Sequence, residues 1–399
     1  MTSHSHQIAI VGAGSAGISV AARLLNDNPG LDVAVIDPSD KHYYQPIWTL
    51  VGGGVFDRTI SERDQADYIP HGATWIQQAV SGFDPDNNQI SLASGDTVTY
   101  EFLVVAAGIQ LDWDRIPGLK ETVGKPGTGV VSNYDYKTVS ETFKAIQSFP
   151  RGGKAIFTHP ATPIKCGGAP MKIMFLADEA FRRQGVRDGS SITFVKGGPG
   201  IFAVKKYADA LTRVADRKGI DRVWMHDLAA LRPDSKEAVF RDMKGGGEVV
   251  MPYDLIHVAP PMSAPDFISS SPLAAASGWV EVDKLTTQHV RYPNVFSLGD
   301  CSNLPTSKTG AAIRKQAPVT AENLLSVIAG RAPQKHYDGY TSCPLVTGYG
   351  KLILAEFDYN KQPMETFPFD QSQERYSMYA LKAYGLPEMY WNGMLRGRM

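Results

Sequence analysis

The sequence predicts an α/β protein with two Rossmann-like dinucleotide-binding domains and a smaller C-terminal region. Three observations carry that reading. A G-x-G-x-x-G run lies between a short apolar strand and a helix near the start of the chain. A second strand–loop–helix unit begins near Gly153 and has no glycine fingerprint at 154–170. Beyond Lys335 the texture changes, with Met, Tyr, Phe, Trp and Pro dense and charges sparse.

The elements follow in order. Gln7 to Val11 reads as the first strand, and Gly12-Ala13-Gly14-Ser15-Ala16-Gly17 turns into a helix through Leu25. Leu31 to Ile36 is the next strand, closed by Asp37-Pro38. Trp75 to Val80, Gln89 to Leu92 and Thr97 to Tyr100 read as a small meander, because turn residues separate them. Phe102 to Val105 is a buried strand that runs through Ala106-Ala107 to Gly108. The second unit runs from Gly153 through the loop around Cys166. It continues with a helix from about Pro170 to Gln184, a strand Ser191 to Lys196, and a last strand over Met251 to Pro260. Val295 to Asp300 returns to a strand-end glycine, and a helix follows over 309–329.

Composition narrows the chemistry. The 399 residues are 43% hydrophobic and 20% charged, the balance of a globular protein with room for two cores. A net charge of −1 gives no electrostatic case for nucleic acid. None of the three cysteines belongs to a C-x-x-C pair, so no metal is expected, and a disulfide here reads as catalytic in a reducing compartment. No run of about 18 apolar residues occurs, so no membrane span is expected. Met1 to His6 leave no room for a signal peptide ahead of the predicted first strand, and His4 and His6 receive no function.

The fingerprint glycines have separate duties: Gly12 for the tight turn, Gly14 for close approach of a pyrophosphate, and Gly17 for helix–strand packing. Asp37, 20 residues after Gly17, stands at the strand end where an acid meets ribose hydroxyls. Two later strand ends, Val104 to Gly108 and Val295 to Asp300, resemble signatures of the flavin disulfide reductase superfamily and favour FAD. The predicted cofactor contacts are Gly12, Ala13, Gly14, Ser15, Ala16, Gly17, Asp37, Val80, Ala107, Gly108, Asp300 and Lys308. Lys308 would bring positive charge near the flavin N1–C2 carbonyl.

Cys166 precedes Gly167-Gly168-Ala169-Pro170, with Pro170 read as the first helical residue. A thiol at a helix N-terminus with Lys165 and Lys172 nearby is expected to ionise easily. Cys343 lies in Tyr340 to Gly348, read as a loop, and Cys301 reads as packing beside the flavin. The tail from Leu381 to Met399 mixes aromatics with Lys382, Arg396 and Arg398, an interface-type composition.

Several stretches together resemble the sulfide:quinone oxidoreductase family, in the branch that includes the mitochondrial enzyme. They are the glycine fingerprint, His42 to Gly52, Pro163 to Lys172, Gly299 to Thr309, Cys343 to Val346 and the Met-Tyr-Trp tail, spanning nearly the whole chain. The resemblance implies that Cys166 and Cys343 form the redox pair on one flavin face, with sulfur passing through Cys343 as a persulfide. It implies hydrogen sulfide as substrate, a small thiol or sulfide as sulfur acceptor, and a membrane quinone as electron acceptor. Phe357, Tyr384, Tyr390 and Trp391 are assigned to the quinone pocket. Cys301 follows Gly-Asp, the wrong place for a covalent flavin bond, so FAD is expected to be noncovalent. On this reading residues 1–112 and 275–334 build the FAD-binding domain and 113–274 a second Rossmann-like domain lacking the NAD fingerprint. Residues 335–399 carry the second cysteine, the quinone site and peripheral membrane contact, expected at the cytoplasmic face of a bacterial inner membrane. A homo-oligomer is left open. Two alternatives stand beside this: an NADH:quinone oxidoreductase, which calls for a second glycine fingerprint, and an FAD-binding redox sensor or persulfide carrier.

Overall fold

The structure is a computed structural model that describes residues 2–399. A seven-stranded sheet holds the first dinucleotide-binding unit. Its strand order is Ala73–Ile76, Val33–Ile36, Ser3–Val11, Thr97–Val105, Gln89–Leu92, Val80–Asp84, and Val295–Ser297 also pairs with Thr97–Val105. The chain thus leaves this sheet after Val105 and returns to it at Val295. Apolar residues of Ser3–Val11 and Thr97–Val105 face helices Ser15–Asp27 and Gly310–Ile328, forming one continuous core with the tail.

Several boundaries differ from the sequence reading; the strand expected from Leu31 starts at Val33. The first strand begins at Ser3, because Ser3 to His6 pair in register with Thr97 to Tyr100, and His6 Nδ1 meets Asp32 at 2.8 Å. Thr97–Val105 is one strand, since no turn residue interrupts it at Glu101; its first half pairs with Gln89–Leu92 and its second with Val295–Ser297. The predicted strand Trp75 to Val80 divides: Ala73–Ile76 runs parallel to Val33–Ile36, and Val80–Asp84 pairs antiparallel with Gln89–Leu92.

The second sheet is fully parallel, in the order Val130–Val131, Leu255–His257, Lys154–His159, Ser191–Lys196, Asp221–Trp224. Buried strands of this kind need helices on their faces. The helix Ala169–Arg183 supplies one, with Phe175, Leu176 and Phe181 fully buried. Met251 to Pro260 is not one strand. Its start closes a three-stranded antiparallel sheet (226–252) that the sequence reading missed, and only Leu255–His257 joins the parallel sheet.

Cys343 does not lie in a loop. Thr341–Gly348 and Lys351–Phe357 form an antiparallel hairpin, with Cys343 opposite Ala355 and Pro344 opposite Leu354. A two-stranded ribbon has only edges, so proline is tolerated there. The tail is helical, with π-helical turns at Leu381–Gly385 and Met389–Gly393. Such turns displace side chains from regular helical positions.

Candidate active site

Cys166 has a left-handed backbone, φ +50°, an uncommon conformation for a residue with a side chain. Three backbone contacts hold it. Its N–H donates to the Lys308 carbonyl at 2.8 Å, and its own carbonyl accepts from Ala169 N–H at 2.8 Å and from the Tyr134 hydroxyl at 3.3 Å. The following helix takes Gly168 as N-cap, so Pro170 is its second residue, not its first. A Cβ at Gly168 would lie 2.5 Å from the Leu345 side chain. Glycine there lets the helix start abut the strand that carries Cys343.

The charge beside the thiol comes from inside the helix. Lys172, buried, donates from Nζ to Cys166 Sγ at 3.1 Å. Lys165, expected to share this role, turns away: its amine reaches Gln45 Oε1 at 2.7 Å and lies over the Trp48 ring. A second buried lysine arrives from the tail. Lys382 donates to the Pro46 carbonyl at 2.8 Å and acts electrostatically on both Cys166 and Cys343. The sequence reading grouped Lys382 with Arg396 and Arg398 in a tail of interface-type composition. Its flanks, Leu381 and Ala383, are the local sign of burial.

These neighbours separate the two thiols. Burial by itself would raise Cys166, but the charge and hydrogen bond of Lys172, with Lys382 and the Gly168 N–H, bring it below the ordinary thiol range. Cys343 is buried and pushed up to about 12, by desolvation first and then by the charge on Cys166. Lys382 is pushed down to about 7, by burial and then by Lys172, partly offset by the two sulfurs. Tyr134 is pushed well above its ordinary value by burial, then by Cys166 and Cys343, so it stays a neutral donor. Cys301 belongs to another place: buried, raised by desolvation, with Sγ on the Val105 carbonyl at 3.4 Å.

The residues assigned to the cofactor fit a dinucleotide. Gly12 has φ +103°, and a Cβ there would lie 2.4 Å from the Ala106 carbonyl oxygen. A Cβ at Gly17 would lie 1.8 Å from the Gly12 carbonyl oxygen. Gly14 is exposed, with open space where its Cβ would be, as a phosphate approach requires. Ala13 and Ala16 are buried beneath the turn. Asp37 accepts from Ala13 N–H at 2.7 Å and from Ser39 N–H at 2.9 Å, so it shapes the glycine loop. Asp300 Oδ1 is buried without a hydrogen-bond partner among the described residues, and burial raises its pKa. A flavin ribityl hydroxyl would satisfy that oxygen. Gly108, with φ +74°, meets nothing within 4 Å, and Val80 and Ala107 pack half-buried on the same core. Lys308 donates to the Asp300 and Ser302 carbonyls at 2.6 and 3.1 Å and lies 3.8 Å from the Trp279 ring centroid. Its side chain therefore holds the Gly-Asp turn.

The four aromatics assigned to the quinone occupy three neighbourhoods. Phe357 packs edge to face on Phe202. Tyr384 is 59% exposed and packs edge to face on Phe56. Tyr390 and Trp391 are buried among His42, Tyr44 and Tyr68.

Residues 6–141 match the family described as pyridine nucleotide-disulphide oxidoreductase. The mitochondrial sulfide:quinone oxidoreductase of Mus musculus is 49% identical over 393 residues, covering 98% of this chain and 87% of the relative. That of Dictyostelium discoideum is 50% identical over 395 residues, covering 98% and 86%. The solved sulfide:quinone oxidoreductase of Aquifex aeolicus shares the fold, with a TM-score of 0.81 at 19% identity over 98% of this chain and 92% of that one. With this identity to both relatives over nearly its whole length, the chain belongs to the sulfide:quinone oxidoreductase family.

Proposed function

We propose that Cys166 and Cys343 are the redox pair through which this chain oxidises sulfide, with noncovalent FAD and a quinone receiving the electrons. The observation that carries the reading is the asymmetry of the pair. Lys172 lies 3.1 Å from Cys166 Sγ, while Cys343 is buried and hard to ionise. In the oxidised pair, hydrosulfide attacks Cys343 Sγ and forms a new S–S bond. The Cys166–Cys343 bond breaks, and Cys166 leaves as the thiolate, since the sulfur of lower pKa leaves faster. Lys172 and Lys382 hold that negative charge. A small thiol then takes the outer sulfur of the Cys343 persulfide, and its proton passes to Cys343, which leaves as a thiol. Reclosing the pair releases that proton and two electrons. Bound FAD supplies a two-electron acceptor for them, and a quinone takes them on with two protons. In sum, hydrogen sulfide, a small thiol and quinone give the persulfide of that thiol and quinol.

A nicotinamide donor suits the geometry less well. A Cβ at Gly197 would lie 2.6 Å from Ala161 N, so the loops ending Lys154–His159 and Ser191–Lys196 abut where a second dinucleotide would enter. Membrane contact is proposed as peripheral, through the exposed Tyr376 and Tyr384. No helix among the described residues is long and apolar enough to cross a membrane. The two relatives carry mitochondrial names, which gives a bacterial inner-membrane face no support.

The test is anaerobic. Sulfide is added to the flavin-loaded protein and its visible absorbance is followed. Cys166→Ser and Cys343→Ser are each expected to abolish bleaching while retaining FAD, and Cys301→Ser to keep most of it. A dead Cys301 variant beside an active Cys343 variant would overturn the pairing. Acid precipitation should release FAD to the supernatant.

A further inference from the structure

The end of the tail is built into the glycine loop. Tyr390 is buried, and its hydroxyl lies 2.7 Å from Ser15 Oγ and 2.5 Å from His42 Nε2. His42 is buried beside it, its Nδ1 facing the Ala13 carbonyl at 3.1 Å and Gln65 Oε1 at 3.1 Å. Gln65 Nε2 donates to the same Ala13 carbonyl at 2.9 Å. Both sides of the exposed Gly14 are therefore pinned: the Ala13 carbonyl by His42 and Gln65, and the Ser15 hydroxyl by Tyr390.

The direction of each proton follows. Nδ1 faces only acceptors, so it carries the ring proton. Burial pushes His42 down to about 4, leaving the ring neutral and Nε2 a lone pair. The Tyr390 hydroxyl must donate to that lone pair, and the Ser15 hydroxyl must donate to Tyr390. Ser15 is thereby held with its single proton turned to the tail. The Gly12 and Ala13 N–H groups are taken by the Ile36 carbonyl and Asp37, which leaves the N–H groups from Gly14 onward at the helix start to meet an anion.

The same segment grips the fingerprint helix further along. Arg23 bonds the Met399 carbonyl, and Asn26 Nδ2 donates to the Arg396 carbonyl at 2.9 Å. Gly397, φ +69°, approaches so closely that a Cβ would lie 2.9 Å from Arg23 N. Trp391 and Tyr68 are covered by the guanidinium groups of Arg63 and Arg396.

We infer that Tyr390 is a positioning residue of the flavin site, and that residues 386–399 latch the pyrophosphate loop into its binding shape. This deepens, and rests on, the flavin reading above. A loop fixed before binding loses less entropy when the dinucleotide arrives. The latch predicts that cofactor affinity depends on a hydroxyl 375 residues from the fingerprint serine.

The test is a titration of apo-protein with FAD, following flavin fluorescence, alongside the thermal midpoint of each apo-protein. Tyr390→Phe keeps the ring and its packing. It is expected to weaken FAD about tenfold, the scale of one net hydrogen bond, with the apo midpoint unchanged. Ser15→Ala should weaken FAD similarly, and the double variant should bind no worse than Tyr390→Phe alone. That coupling is a readout a purely structural role would not give. Wild-type affinity in Tyr390→Phe, or additive losses in the double variant, would overturn the latch. Should Tyr390→Phe lower the apo midpoint, Ser15→Ala decides, and unchanged affinity there overturns it too. Wild-type apo-protein that takes up no FAD would instead refute the flavin reading itself.

Discussion

Cys166 shows what a single residue gains from its surroundings. Its thiolate depends on Lys172, six positions on and reaching back over the first helical turn. Lys172→Met should raise the Cys166 pKa and slow its alkylation by iodoacetamide at pH 7 by about tenfold, one pKa unit's worth. Lys172→Arg should recover part of the rate, because charge is retained and geometry is not. Lys382 carries a pH signature. Its pKa in the folded state lies near 7, well below 10.5. The unfolded chain therefore binds more protons between those values, and stability rises with pH across that window. Below about pH 7 the buried charge is a standing cost. Lys382→Met should thus raise the thermal midpoint most at pH 6, with the gain shrinking by pH 9; a gain independent of pH would contradict the burial argument. Cys166 and the fingerprint glycines were legible because their signals are local: a helix start, a turn, fixed spacings. Tyr134 and Lys382 were not, because only the fold brings them from 32 positions before and 216 positions after the thiol.

At the scale of elements, the helix Gly310–Ile328 links the cofactor turn to the thiol strand. Thr309 caps it, its Oγ1 accepting from Ala312 N–H at 3.1 Å, and the same oxygen meets Thr341 Oγ1 at 2.8 Å. Thr309→Ala removes the cap and loosens the strand two residues before Cys343. It should lower stability by about 1 kcal/mol, measured by urea unfolding, and Thr309→Ser should restore most of it. The ends of the helices Ala169–Arg183 and Gly310–Ile328 were readable from sequence to within a residue, because capping and periodicity are written in adjacent positions; the first helix runs two residues past the expected Leu25, and Val139–Gln147 and Lys205–Lys218 were missed. The hairpin was not. Cys343-Pro344 reads as a loop until the pairing partner, Ala355-Leu354, is known. The three-stranded sheet at 226–252 was missed for the same reason, since its pairing carries the information. The tail composition was seen correctly as aromatic and basic, yet it meets the protein interior at Lys382, Tyr390 and Trp391.

Across the whole molecule, the tail reaches both regions, acting on the thiols through the charge of Lys382 and touching the glycine loop through Tyr390. The order of the two dinucleotide-type units and the return of the chain to the first sheet were legible, because strand-end glycines mark each crossing. How the tail drapes over them was not, since it depends on contacts several hundred residues apart. The Cys166 N–H is tied to the Lys308 carbonyl, eight residues after the half-buried Asp300. On the flavin reading, the reach from sulfur to cofactor is therefore gauged by main chain, as by a ruler, with the Lys308 side chain steadying the Asp300 end. Lengthening that stretch of chain would change the gauge. A glycine inserted between Asn303 and Leu304 would leave every motif in place and should leave FAD bound. The sulfur, however, would be out of register, so the protein should remain yellow in sulfide, as an anaerobic absorbance trace would show at once.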